Sequence, residues 1–327
     1  MAERISAKIQ NILKWFVPLL LIFAIFYAMN SKKEESIIVV PENKEGVEIL
    51  DELNDRGYIS NSASYLIAKL AFKLGFDFES GGFVLSQDMG PFSLLAALAS
   101  PEYKYVAVIE GLRKEEIAEV FAKKLNWTEE QKAEFSMPED ICILEGGEGY
   151  LFPGKYLVHK DDSVEDIKQL MENKLDEAMK DVFEKTEKEP DAKILNLNQV
   201  MTIASLIQRE AAGKNDMKLI SGIIWNRIFK EMPLQIDATL QYVKGDEKKG
   251  WWPQVKSEDK YLKSPYNTYK IDGLPPGPIA NPGIAAIEAA LDPDDTKCLF
   301  YLHDRNRVIH CASTYEAHKK NVRYYLK

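Results

Sequence analysis

The chain carries little of what builds a metal or thiol centre. Its three cysteines, Cys142, Cys298 and Cys311, include no CxxC pair, and its four histidines, His159, His303, His310 and His318, form no HExxH or similar ligand spacing. A disulfide-built scaffold and a zinc hydrolase are therefore excluded, and no metal or other cofactor is expected. Nor is positive charge in excess: 42 Lys and Arg face 51 Asp and Glu, for a formal charge of −9. Repulsion from phosphates then argues against a general nucleic-acid binder. Hydrophobic residues at 46% and charged residues at 28% of 327 are globular values, which excludes wholesale disorder and leaves room for about two domains.

One stretch lacks charge altogether. Residues 15–31, WFVPLLLIFAIFYAMNS, together with Ile12 and Leu13, approach the length of about 20 residues that a helix needs to cross a bilayer. Trp15 and Tyr27 suit the two interfaces, and Pro18 falls in the first turns, where it disturbs a helix least. A cleaved signal peptide would be shorter, and no small-residue cleavage site precedes Asn30. Arg4, Lys8 and Lys14 lie before the stretch, whereas Lys32 and Lys33 after it are followed at once by Glu34 and Glu35. The excess of basic residues predicts a single transmembrane helix with a cytoplasmic N-terminus and the rest of the chain outside the cell membrane, where substrates are polymers and peptides.

Beyond that helix the expected class is α+β. Ile37 to Val40 reads as a strand, Pro41 and Gly46 as a turn, and Val47, Ile49, Leu50 and Leu53 as one face of a helix. The same grammar returns at 105–121, with Gly111 in the turn and Ile117, Val120 and Phe121 on the helix. Either one small α+β domain spans about 36–136, or these are two unrelated strand-helix units. Residues 163–187 space Val164, Ile167, Leu170, Met171, Leu175, Met179 and Phe183 as a long amphipathic helix, expected to pack on the C-terminal domain, 137–327. Helices follow at about 195–212 and 216–230. The Pro, Gly and Asn-rich stretch 233–282 should be loop. A helix at 284–291 and a hairpin around Asp304-Arg305-Asn306 close the chain. Cys298 and Cys311 fall on the two arms of that hairpin, but its register, and so their pairing, is left open.

One residue breaks the pattern. In NQVMTIASLIQREAAG, Glu210 falls within about 20° of Ile203 at roughly 100° per residue, inside the stripe of Val200, Leu206 and Ile207, while Gln208 and Arg209 point toward solvent. A carboxyl on a buried face resists ionisation and suits a general acid at neutral pH. Alternatively it turns to the rim where the helix ends, or pairs with Arg227. Hydrolytic glycosidases need two carboxyls, and Asp237 is the best second candidate. A lytic cleavage of a muramic-acid glycan needs one, because the sugar's own C6 hydroxyl attacks while a single group acts as acid and then base. Tyr266, Tyr269, Trp251 and Trp252 offer flat faces for sugar rings, and Asn267 and Gln235 directional hydrogen bonds.

Four blocks carry a resemblance: EGYLFPGKY at 148–156, ASLIQREAAG at 204–213, IIWNRIFKEMPLQIDATLQY at 223–242, and SPYNTYKIDGLPPGPIANPGIAAIEAAL at 264–291. In that order they resemble the MltG/YceG-like endolytic murein transglycosylases. The resemblance implies a membrane segment over 1–35, a LysM-like domain over 36–136 and a catalytic domain over 137–327. It places the acid at Glu210 and substrate contacts at Gln235, Asp237, Tyr266, Asn267, Thr268 and Tyr269. It further implies cleavage of MurNAc-GlcNAc bonds in nascent peptidoglycan strands to leave 1,6-anhydro-MurNAc ends, terminating elongation beside the wall-synthesis machinery. Gln208, Ala238 and Gly154 depart from the family's usual charged residue, Pro and Asp. Two other readings are a membrane-tethered glycan-binding scaffold without activity and a muramidase that uses Glu210 with Asp237.

Overall fold

The computed structural model describes residues 35–41, 46–59, 61–76, 79–87, 89–137, 147–186 and 196–326. The expected membrane segment at 15–31 lies outside them, as does Cys142. Among the described residues no helix is long and apolar enough to cross a membrane. The chain divides into two compact units, Met1–Tyr103 and Lys104–Lys327.

In the first unit, strand β1 (Glu35–Val40) runs antiparallel to β2 (Gly81–Ser86), with Ile37 opposite Val84 and Val40 opposite Gly81. Three helices accompany them: α1 (Gly46–Asp55), α2 (Ser62–Lys73) and α3 (Pro91–Leu98). Asn61 starts α2 by accepting the Ser64 backbone N–H at 2.9 Å, which satisfies one of the four free donors of a helix N-terminus. Leu50, Leu53, Phe83, Leu85, Leu94 and Leu98 form the core.

The second unit holds two cores. Strand β3 (Tyr103–Val108) neighbours β4 (Gly154–His159), and helices α4 (Lys114–Leu125) and α5 (Glu129–Ser136) contribute to the same cluster through Ile117, Phe121 and Phe135. The second strand-turn-helix copy of the sequence is thus part of this unit. Helix α6 (Val164–Thr186) gives Val164, Ile167 and Met171 to the first core and Leu175 and Met179 to the second, so its apolar stripe joins the two. Leu170, read as part of that stripe, is exposed.

The larger core gathers α7 (Leu197–Glu210), α8 (Met217–Phe229) and α10 (Ile284–Leu291). A further helix, α9 (Asp237–Lys244), interrupts the stretch expected to be loop. Its eight residues contain neither Pro nor Gly, and Ala238, Thr239 and Leu240 are buried, so burial of one short face overrides the composition around it. The hairpin is present as β5 (Phe300–His303) and β6 (Ile309–Ala312), with Tyr301 opposite Cys311. Cys298 and Cys311 form a disulfide across it. Helix α11 (Tyr315–Tyr325) follows, opened by Thr314 accepting the Ala317 N–H at 3.2 Å.

Candidate active site

Helix α7 begins with Asn196 and Gln199 satisfying each other's backbone N–H groups, and it buries an unbroken run from Val200 to Ile207. Glu210 is its last residue and half-buried. Removal from water is the largest influence on its carboxyl and pushes it above the ordinary carboxylate range, and the nearby Asp237 charge pushes the same way. The Tyr301 hydroxyl, the Ala238 backbone N–H and His303 act against them without cancelling the rise. Tyr301 donates to Glu210 Oε2 at 2.6 Å.

Arg227 does not neutralise this acid by a direct ion pair. Its guanidinium is spent on backbone carbonyls, Nε donating to Leu299 at 2.7 Å and Nη1 to Leu234 at 2.6 Å. Glu210 is thereby left as a desolvated carboxyl held by a neutral donor, which is what a proton donor at neutral pH requires.

Asp237 opens α9 and is exposed, with Oδ1 accepting from the Tyr269 hydroxyl at 2.6 Å. Gln235, two residues earlier, is exposed in a left-handed conformation at φ 52°, and its N–H donates to the Thr268 carbonyl at 3.0 Å. The structure therefore brings Asp237 and Tyr269 near Glu210, and leaves Gln235 exposed two residues before Asp237. It does not expose Asn267 and Thr268. Both are fully buried and their polar atoms are used internally: Asn267 Nδ2 donates to the Lys260 and Leu262 carbonyls, and Thr268 Oγ1 accepts the Ile236 N–H at 2.9 Å. They fix the 260–269 loop against the start of α9 rather than offering hydrogen bonds outward. Tyr266 is half-buried, its ring 5.0 Å from that of Tyr242.

The face of α7 assigned to solvent is occupied. Gln208 Oε1 accepts the Gly283 N–H at 3.0 Å, and the Arg209 guanidinium lies 3.6 Å from the centre of the Trp252 ring. Trp252 and Trp251 are in turn tied by their indole N–H groups to Glu116 at 2.9 Å and Glu119 at 3.1 Å on α4. Together with Asn198 donating to the Pro276 carbonyl and Ser205 accepting the Ile279 N–H, these bonds lay the 276–283 segment along α7.

Further residues of this region were not singled out from sequence. Besides Tyr301 they are His303, whose Nε2 lies 2.7 Å from Asp216 Oδ2, and Asp216 itself, which accepts the Ala212 and Gly213 N–H groups just past Glu210. Asn281, wholly buried, accepts the Gly149 and Leu151 N–H groups and donates to the Leu112 carbonyl and Glu148. The polar tripeptide Asn-Pro-Gly in a Pro-rich loop was the available signal for Asn281; alternation in FYLH was the signal that Tyr301 and His303 share a face. Among the described residues no group of three His, Cys, Asp or Glu could hold a metal ion.

Fold and site together describe an α+β protein with a desolvated carboxyl at a helix end, bonded to Tyr301 and near a second, exposed carboxyl, an arrangement suited to general-acid chemistry. Comparison with known proteins narrows the class. The model of the YceG-like family matches residues 38–324, and the chain belongs to that family. It is 33% identical over 275 residues to a Bacillus subtilis protein named endolytic murein transglycosylase, an alignment covering 76% of this chain and 73% of that one. A Streptococcus pneumoniae protein of the same name is 28% identical over 331 residues, covering 90% of this chain and 58% of the relative, which is considerably longer. Among solved structures, a yceG-like protein from Listeria monocytogenes superposes with a TM-score of 0.57 at 26% identity, over 88% of this chain and 99% of that one.

Proposed function

We propose that this protein is a peptidoglycan lytic transglycosylase with Glu210 as its acid. The observation that carries the reading is the Glu210 carboxyl, raised by burial and bound to Tyr301 instead of a cation. Relatives 28–33% identical to this chain are named endolytic murein transglycosylases.

In this reading the protonated carboxyl gives its proton to the glycosidic oxygen between MurNAc and GlcNAc as that bond breaks. The C6 hydroxyl of the muramic acid bonds to C1, and its proton returns to Glu210. The product carries a 1,6-anhydro-MurNAc end, and cutting inside nascent strands would terminate their elongation beside the synthesis machinery. Tyr269, Asp237 and Gln235 supply contacts to the sugar hydroxyls, and Tyr266 a ring face. The uncharged residues 15–31 support a single-pass anchor with the catalytic part outside the cell, as does the Cys298–Cys311 disulfide, a bond typical of oxidising compartments. The strand-helix grammar of 36–136 supports a LysM-like region that grips the wall, although its second copy belongs to the unit that begins at Lys104.

Asp237 favours a second reading, since it lies near enough to raise Glu210: a muramidase in which Asp237 activates water. Its engagement by Tyr269 weighs against that role. Glu210→Gln keeps size and hydrogen bonding but removes the transferable proton. It should abolish cleavage of purified strands, with binding and thermal unfolding unchanged; cleavage at the normal rate would refute the assignment.

A further inference from the structure

We propose that Tyr301 is the positioning residue of Glu210: its hydroxyl occupies Oε2, so the transferable proton sits on Oε1, and it steadies the carboxylate left when that proton departs. The proposal rests on the lytic reading above and assigns a role to a residue 91 positions away on another element.

The geometry supports it at three points. First, the O–H donates to Oε2 at 2.6 Å, a full hydrogen bond within the ordinary O–H···O range. A carboxyl whose Oε2 accepts a hydrogen bond as its carbonyl oxygen carries its own proton on Oε1. Second, the strand that bears Tyr301 is clamped to the end of α7. Residues i and i+2 of a strand share a face, and His303 on that face meets Asp216, which in turn holds the backbone at Ala212 and Gly213. The Leu299 carbonyl takes the Arg227 N–H at 2.7 Å, and the disulfide joins Cys298 to Cys311, the residue facing Tyr301 across the hairpin. Third, burial and the adjacent Glu210 charge raise the Tyr301 hydroxyl well above its ordinary range, so it remains a donor and does not become an acid in its own right.

A single group that serves as acid and then base needs this kind of partner. During the cycle the Oε1 proton moves to the glycosidic oxygen, the C1–O bond breaks, the C6 hydroxyl closes on C1 and its proton returns to Oε1. Tyr301 neither gains nor loses a proton; it stabilises the anionic half of the cycle, which the neutral starting state does not need to the same degree. The other charged or titratable groups around this carboxyl are Arg209 on α7, Arg227 on α8, Asp237 on α9, Tyr269 in the loop and His303 on β5, with Asp216 acting on Tyr301.

The test uses the full chain in detergent and the variant Tyr301→Phe, which keeps the ring. Strand cleavage is followed against pH, and the Glu210 carboxyl is titrated by infrared difference against Glu210→Gln in each background. We expect kcat to fall about tenfold with KM within about twofold, and the alkaline limb and the infrared titration both to move about one pH unit upward. A limb and titration that stay in place would overturn the proposal, because a residue with only a structural role would leave them there. If Tyr301→Phe does not fold, a fluorinated tyrosine at 301, a stronger donor, should move the titration downward, and an unmoved titration would overturn the proposal equally. Absence of cleavage by the wild-type chain would count against the lytic reading alone, since the infrared titration still decides the placement of Tyr301.

Discussion

Replacing Glu148 with Gln should stabilise the second unit at alkaline pH and change little at pH 5. One oxygen of this carboxyl accepts the Lys114 backbone N–H at 3.1 Å and Asn281 Nδ2 at 2.9 Å, while the other is buried and has no hydrogen-bond partner among the described residues. Burial, and then the Glu115 charge, push it up to about 8, against the pull of Arg113 and Lys114. Because the folded state holds this proton more tightly than the unfolded chain, whose carboxyl titrates near 4.3, the stabilisation from the protonated form is complete below that value and is lost as pH climbs toward 8. The full difference would amount to about 5 kcal/mol, and reorientation of Arg113 and Lys114 reduces it, so about 2 kcal/mol is the expected gain for the Gln variant at pH 9. Urea unfolding followed by the fluorescence of Trp127, Trp225, Trp251 and Trp252, all in that unit, measures it. If variant and wild type differ by the same amount at pH 5 and pH 9, the reasoning is wrong.

Two other perturbations follow from packing and covalent linkage. A Cβ at Gly222 on α8 would come within 2.3 Å of the Asp294 backbone carbonyl, so Gly222→Ala should cost about 2 kcal/mol by forcing the two segments apart, visible as a lower midpoint in the same unfolding assay. Breaking the Cys298–Cys311 link, which spans 13 positions, should cost about 2–3 kcal/mol and slow strand cleavage by loosening the strand that carries Tyr301. Unfolding and cleavage with and without reductant check this, and a reduced protein of unchanged activity would separate the hairpin from the acid.

Much of this architecture is local and therefore legible in the residues. Helical periodicity isolates Glu210 because its burial is set by the helix that carries it, and Gly283 before an unbroken Ile284–Leu291 run marks α10 for the same reason. What escapes is long-range. Gln208 and Arg209 read as solvent-facing because an angle on a helix says nothing of Gly283 or Trp252 arriving from elsewhere. Helix α9 is hidden by the proline and glycine around it, although its own eight residues have neither. Asn267 looks like an outward hydrogen-bonder until the Lys260 and Leu262 carbonyls that occupy it are placed, and Thr268, a contact only by resemblance, is taken by the Ile236 N–H. The disulfide needed the hairpin register, which alternation alone leaves free.

In the proposed reaction one carboxylic acid, Glu210, cuts a glycan with the sugar's own hydroxyl as nucleophile. Digesting purified peptidoglycan strands in oxygen-18 water and weighing the new ends tests it most directly. Wild type should leave anhydro ends free of label, and Glu210→Gln should leave the strands intact. Labelled reducing ends would instead show that water is the nucleophile and would contradict it.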